Sequence, residues 1–587
     1  MVHLGTSSFA QKKEQVTTNA KYASHGTGDA GETIPAPSFT KSLFLSYPKA
    51  FLCTTFLYKE PVYALRNAIF MIGSAIKAAS FVLLPVLMVA CGGTITTTAP
   101  WYWTNQGLLQ DTYPFVILLT MLMAAFTILS VVLARYKEFA KYDHIPGPKP
   151  AFLYGNLKDL CRNGWGYRHR TLVDLHEEYG AVFRLHMPLL KRPFVYCNFV
   201  PDTIYDKQFD SLRPTKTLTP GSLMGISLGG RHSHNRHHLS KMKSNKNFRM
   251  MLADVDVVSK DLVFLMRQNE SGNLESLLLE WSLDAMFLYL YGTRPATSND
   301  KKKIIAAVDM FTSEISLRTN EPMWMWFASW KRIKRWTTGF SYLLDLADEY
   351  YSEPSCPLPS FMKSQGLAKW EALDELTIFL AASFESTAHT VAQCLIMLSD
   401  DESCQQKDAK EAREILAEAG DGPVLKDHVD KAMFIQHCVF EALRLHPTIP
   451  FSARKMTKEY SIKQLDGKSY SIPGNSYLVY FKTAIGLNES IFPDADKFKP
   501  ERYEGMKTRT EKHMKFLPFG TGPRQCWGQL IAEMQMTQLL IHLLGGLQFE
   551  STKYQEKQTR KISRRRSVAA VSVAAPGVAS VKFTVRK

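Results

Sequence analysis

Apolar residues fall into three regimes along the chain. They are sparse in residues 1–42, nearly continuous in two stretches before residue 135, and periodic beyond it. Residues 1–42 are rich in Ser, Thr, Ala and Gly, and the whole of 1–66 reads as a polar, disordered N-terminal region. A membrane span needs roughly 20 mostly apolar residues. The stretch 113–134, "YPFVILLTMLMAAFTILSVVLA", meets that requirement. The stretch 70–93 contains Pro85 and needs the segment around Lys77 to reach length, so it reads as a span or as a re-entrant interfacial helix. Residues 67–143 are thus predicted to be a membrane anchor.

Charge orients this anchor. No Lys or Arg occurs from Ala78 to Ala134, whereas Lys41, Lys49, Lys59 and Arg66 precede it and Arg135, Lys137 and Lys141 follow it. Positive flanks favour the cytoplasm, which leaves the loop with Trp101, Tyr102 and Trp103 on the opposite side as an aromatic belt. Glu14, Asp29 and Glu32 argue against a transit peptide, and no apolar run near Met1 makes a secretory signal.

Pro146, Pro148 and Pro150 follow in "HIPGPKPAFLYGNL", residues 144–157. They stop the membrane helix and predict a stiff hinge. The body, 145–587, mixes long helical periods with short alternating runs. "ALDELTIFLAASFESTAHTVAQCLIML", residues 372–398, has helical spacing throughout. "YSIKQLDGKSYSIPGNSYLVYF", residues 460–481, and the final "VASVKFTVRK" alternate as strands do. The predicted class is α+β, mostly helical.

Composition adds limits. The 587 residues are 45% hydrophobic and 21% charged, as in ordinary globular chains. Net charge is 71 − 55 = +16, which suits nucleic acid, an anionic membrane surface or an acidic protein partner. The basic run "GGRHSHNRHHLSKMKSNK", residues 229–246, lacks the interleaved aromatics that stack on bases, and its histidines lack metal-ligand spacing. The nine cysteines include no C-x-x-C pair and do not resemble a disulfide framework.

One cysteine stands out. In "KFLPFGTGPRQCWGQLIAEMQ", residues 515–535, Cys526 follows a glycine-rich loop and precedes an apolar helix. A thiolate is a strong metal ligand and is stabilised at a helix N-terminus. Gly520 and Gly522 permit a tight turn with amides aimed at the sulfur, Gly528 leaves room for a flat cofactor, and Arg524 can meet an acid on it.

The pattern Phe519-x-x-Gly522-x-Arg524-x-Cys526-x-Gly528 resembles the haem-binding loop of the cytochrome P-450 superfamily. Five fixed residues at about 1 in 20 each recur by chance in roughly one such chain in several thousand. The resemblance covers about residues 145–587 and implies that fold, with an N-terminal transmembrane anchor here. It implies haem b, with Cys526 as the iron ligand and Phe519, Gly522, Arg524 and Gly528 around the cofactor. Further motifs follow in order. Glu441-x-x-Arg444 and Arg502 match a buried structural network, and Arg454 matches a haem-propionate partner. His232 and Arg236 fall where the family has Trp-x-x-x-Arg against the propionates. "AASFESTAHT" resembles the oxygen-binding helix segment, which makes Glu385, Ser386 and Thr387 the predicted proton relay. Here Ser383 stands in place of the family's glycine and Ser386 in place of its threonine. Phe384 and residues 216–228 are predicted to line the substrate pocket.

The implied function is a monooxygenase inserting one oxygen atom into an apolar, lipid-like substrate. Electrons would come from NADPH through a partner reductase docked on the basic face, and no nucleic acid is involved. The implied location is the endoplasmic reticulum membrane with a cytoplasmic body, or a plastid membrane. A reductase-independent hydroperoxide isomerase or dehydratase, and a non-catalytic haem-binding protein, are the alternatives. Some motifs resemble fatty-acid hydroxylases, with sterols and terpenoids also open. "RKISRRRS", around Ser567, resembles a basic kinase site in the turn of a terminal hairpin.

Overall fold

A helix of 32 residues, Lys369–Asp400, forms the axis of the body. It includes the predicted 372–398 segment, and every residue from Thr387 to Leu398 is buried. A helix covered on all sides belongs at the centre of a large core. The computed structural model describes residues 106–151, 154–163, 168–187, 192–201, 210–211, 237, 239–241, 245–268, 273–318, 330–456, 458–464, 466–506, 509–522, 525–551 and 581–586.

The helices used below are α1 (Gln106–Ala140), α2 (Arg168–Tyr179), α3 (Asn245–Gln268), α4 (Leu274–Tyr291), α5 (Ser298–Arg318) and α6 (Trp330–Ser352). The axial helix is α7 (Lys369–Asp400), followed by α8 (Glu402–Ala419), α9 (Met433–Leu445), α10 (Lys482–Gly486), α11 (Arg509–Met514) and α12 (Gln529–Gly546). Local signals set their ends. Asn273 caps α4 by accepting from the amides of Glu275 and Ser276, and Gly292 ends it in the left-handed region at φ 72°. α4 and α6 pack on α7, and α12 packs between α3 and α8. Their apolar faces, with Leu380, Phe384 and Leu395 of α7, form the main core.

The strands are β1 (Val182–Leu185), β2 (Phe194–Cys197), β3 (Asp210–Ser211), β4 (Phe451–Lys455), β5 (Tyr460–Lys463), β6 (Ser469–Ile472), β7 (Tyr477–Phe481), β8 (Leu547–Ser551) and β9 (Val581–Val585). One sheet has the order β1-β2-β7-β4-β3. β2 and β7 are parallel, and the other pairings in it are antiparallel. The alternating 460–481 run becomes β5, β6 and β7. The final residues become β9, which pairs antiparallel with the preceding strand β8 as a terminal hairpin. The segment around Ser567 lies outside the described residues.

The Pro-rich segment 144–157 is not a free hinge. Tyr142, Ile145 and Asn156 are fully buried. The Pro146 carbonyl accepts from the Arg184 amide at 2.8 Å, and the Asn156 amide donates to the His186 carbonyl at 2.6 Å. Gly147 sits at φ 149°, where a Cβ would lie 2.4 Å from the Arg184 carbonyl oxygen. Proline does stiffen the chain here, but its turns leave carbonyls that the edge strand β1 can bind. The end of α1 is docked too: Glu138 and Phe139 are buried, and the Phe139 ring lies 4.3 Å from that of His186.

The predicted span 113–134 lies within α1. The predicted span 70–93 and residues 1–66 lie outside the described residues. Among the described residues no helix is long and apolar enough to cross a membrane, and many side chains of α1 lie outside them. Those of α1 that are described include Met121, Leu122, Phe126 and Leu133, all more than half exposed.

Behind the core sits a charged network. Glu441 and Arg444 on α9 are both fully buried. The Arg444 guanidinium donates to Glu441 through Nε at 2.8 Å and Nη2 at 2.7 Å. Its remaining protons reach the carbonyls of Gly486, Ala495 and Lys497. Arg502 Nε and the Lys499 amide both donate to Glu441 Oε1 at 2.9 Å. Removing one partner strands the others without water. Glu441→Gln should therefore lower the unfolding free energy by about 3–5 kcal/mol in denaturant melts. Lys407→Ala, which breaks the exposed Lys407–Glu501 pair, should change it little.

Candidate functional site

The cysteine loop runs from α11 to α12. Three residues of its turn have left-handed backbone: Leu517 at φ 51°, Gly520 at 73° and Gly522 at 69°. Glycine is needed at the last two for that reason. A Cβ on Gly522 would meet nothing within 4 Å among the described residues, so this edge of the loop is open to them. Gly528 is the N-cap residue of α12, at an ordinary φ of −82°. A Cβ there would lie 4.0 Å from Cys526 Sγ, in van der Waals contact with the sulfur. Cys526 is exposed, the only exposed cysteine among the described residues.

The loop carbonyls are tied down by hydrogen bonds. The Cys526 amide donates to the Phe519 carbonyl at 2.8 Å. Arg454 Nη2 donates to the Thr521 carbonyl at 2.9 Å. His513 Nε2 lies 2.7 Å from the Gly520 carbonyl and must carry the proton, since a carbonyl only accepts. Lys482 Nζ donates to the Pro518 carbonyl at 2.9 Å. Sequence reasoning singled out Arg454 but missed Lys482 and His513. The one visible signal was a lysine inside the apolar run "SYLVYFKTAIGL". Burial pushes the Lys482 amine down to about 7, while the Cys526 thiol acts to raise it and Arg454 to lower it further.

The loop meets α7 through aromatic rings: Trp527 and Phe379 have centroids 4.9 Å apart. About two turns further along α7 lies the predicted relay. Burial raises the Glu385 carboxyl to about 7, with His389 opposing the shift and Asp309 adding to it. Ser386 Oγ donates to the Ala382 carbonyl at 3.0 Å, and Thr387 Oγ1 to the Ser383 carbonyl at 2.8 Å. Both hydroxyls thus bond to their own helix, one turn back. α7 is continuous through this segment, with no break at Ser383. Ser383 Oγ is buried without a hydrogen-bond partner among the described residues. Phe384 does not line open space: it is fully buried in the main core. His232, Arg236 and Arg524, and the segment 216–228, lie outside the described residues.

This arrangement has a defined chemistry. An exposed sulfur near a helix N-terminus, an open glycine edge beside it and an unpartnered hydroxyl on the neighbouring helix fit a flat, metal-bearing cofactor. The comparisons with known proteins agree. A model of the cytochrome P450 family matches residues 145–573, and the chain belongs to that family. It is a cytochrome P450 monooxygenase, and family membership implies haem and a redox partner. The chain is 26% identical over 433 residues to the mouse (Mus musculus) protein named 1,25-dihydroxyvitamin D(3) 24-hydroxylase, mitochondrial; the match covers 67% of this chain and 81% of that one. The rat (Rattus norvegicus) protein of the same name is 24% identical, with the same coverage. A Drosophila melanogaster protein named "Probable cytochrome P450 4aa1" is 27% identical over 34% of this chain and 38% of its own.

Glu385 gives a pH test. Its folded pKa lies above its unfolded one, so the folded state binds more protons between pH 4.5 and about 7. Stability contributed at this site is therefore lost as pH rises through that window. Glu385→Gln should leave stability unchanged at pH 4 and raise it by on the order of 1–3 kcal/mol at pH 8. Denaturation midpoints at the two pH values read the difference; an equal gain at both would mean that Glu385 does not titrate in this range.

Proposed function

We propose that the chain is a membrane-anchored haem-thiolate monooxygenase acting on an apolar, lipid-like substrate. The observation that carries this reading is the Cys526 loop, with an exposed sulfur and four successive carbonyls, Pro518 to Thr521, each held by a hydrogen bond. Haem, when bound, supplies an iron that activates dioxygen, and a thiolate ligand donates electron density to it.

The residues of the chain then have separate tasks. Cys526 holds the iron, and Phe519, Gly522 and Gly528 leave space for the flat ring. Arg454, Arg236, His232 and Arg524 are the groups that meet the ring's acids. Glu385 holds a proton near neutral pH because burial favours its neutral form. Ser386 and Thr387 accept and pass that proton, each by rotating off the carbonyl to which it now donates. Glu441, Arg444 and Arg502 hold the scaffold beneath the loop.

The name of the mouse relative describes a hydroxylase of a vitamin D metabolite, which supports an apolar lipid as substrate class. Electrons come from an NADPH-dependent reductase, an acidic partner suited to the net charge of +16. The body lies on the cytoplasmic face of the endoplasmic reticulum membrane, with α1 as anchor; the exposed Met121, Leu122, Phe126 and Leu133 support burial of that helix in lipid.

The reduced, carbon-monoxide-bound protein should give a thiolate-type Soret band, and Cys526→Ala should lose it while the body stays folded. An identical band in both proteins would overturn the assignment of the ligand. With lipid substrate supplied, oxygen uptake should require NADPH and reductase. Removing residues 1–134 leaves the docked Glu138, Phe139 and Tyr142 in place. It should move the protein from the carbonate-washed membrane pellet to the supernatant; a full-length chain already in the supernatant would refute the anchor.

A further inference from the structure

Lys482 is a fully buried lysine in the wall of the site. It begins α10, directly after β7, and its side chain is almost wholly excluded from solvent. A buried ammonium is costly unless its charge and its protons are met. Lys482 has three protons and one hydrogen-bond acceptor among the described residues, the Pro518 carbonyl. None of the described ion pairs includes it. The groups acting on its charge are Arg454, which repels it, and Cys526, which attracts it. The main chain holds it in place: its amide donates to the Pro450 carbonyl at 2.7 Å, which extends the ladder between β4 and β7. The Arg454 side chain leaves the same ladder to bind the Thr521 carbonyl. The sheet thus delivers two cations to one loop, at Pro518 and at Thr521.

We propose that Lys482 is a positioning residue and buried counter-charge for Cys526, fixing the head of the cysteine loop and easing reduction of the iron that the sulfur holds. The inference rests on the haem-thiolate reading above. Two physical effects follow from one side chain. The hydrogen bond to Pro518 keeps that carbonyl from turning toward the sulfur, where its negative end would repel a thiolate. The positive charge, carried below about pH 7 and screened little in a buried setting, favours the added electron on reduction. Lys482 touches neither substrate nor cofactor in this account and acts through the loop.

Three variants of the haem-loaded, full-length protein separate these effects. Lys482→Gln keeps a donor for Pro518 and removes the charge. Lys482→Met removes both, and Lys482→Arg keeps both. The readouts are the ferric–ferrous midpoint potential by spectroelectrochemistry and the proportion of thiol-type band in the reduced carbon monoxide spectrum. Gln and Met should both shift the midpoint negative, with the ferrous-to-ferric ratio at fixed potential falling about tenfold, or about 59 mV for one electron. Met should in addition raise the thiol-type proportion, and Arg should stay near wild type on both readouts. If Met does not take up haem, Gln and Arg still decide the matter. Variants that melt at lower temperature but keep the wild-type midpoint and band would overturn the proposal and leave Lys482 a packing residue. A wild type without a thiolate-type band would overturn the haem-thiolate reading, and this inference with it; a wild type with the band beside unshifted variants would overturn this inference alone.

Discussion

A single buried carboxylate, Glu441, organises the side of the body from which the cysteine loop departs. It accepts from two guanidinium groups and a backbone amide, while Arg444 holds three carbonyls in the segment 486–497. That segment has little regular structure of its own and could not keep its shape by ladder hydrogen bonds. Fixing it to α9 fixes the path of the chain into α11, and so the start of the loop. The Phe492 ring lies under both guanidinium groups, at 5.2 Å from Arg444 and 6.0 Å from Arg502, which limits their swing. The arrangement is expensive in desolvation and useful because it admits few alternatives.

What the sequence revealed divides along a physical line. α7 was legible because helical periodicity is a local property of consecutive residues. The relation of Glu441 to Arg444 was legible from spacing on one helix face, and Cys526 from the glycines and helix around it. The clamp on the loop was not. Lys482 and Pro518 are 36 residues apart, and Arg454 and Thr521 are 67 apart. A side chain reaching a distant carbonyl leaves no periodic trace, since any residue offers a carbonyl. The segment 144–157 misled for a related reason. Prolines announce stiffness, but whether a stiff piece stands free or docks depends on β1, some thirty residues on, which its composition does not show.

Ser383 and Ser386 have a particular place in the site. A helix opens where a residue weakens the ladder or inserts a polar group into it. Here the hydroxyls of Ser386 and Thr387 bond to carbonyls of an unbroken helix. They thus leave the backbone undistorted, and Ser383 Oγ, without a partner among the described residues, has capacity for one. The acid next to them is the residue that burial keeps protonated near neutrality. In the proposed relay, proton supply and helix geometry would therefore fall to separate residues.

The docking of α1 has a mechanical meaning. Its last turn and the residues just after it are locked to the body through Phe139 on His186, Glu138 with Arg192, and Tyr142 with Ser476. No loose joint separates helix from body at this end. Whatever holds the helix therefore holds the body at a set tilt, like a sign welded to its post. Were α1 held in a membrane, as proposed, the body could turn about one axis but not nod, and a partner confined to the same plane would approach it over a narrow band of its surface. With α1 held as proposed, orientation, normally settled during each encounter, would be settled by the fold before the encounter begins.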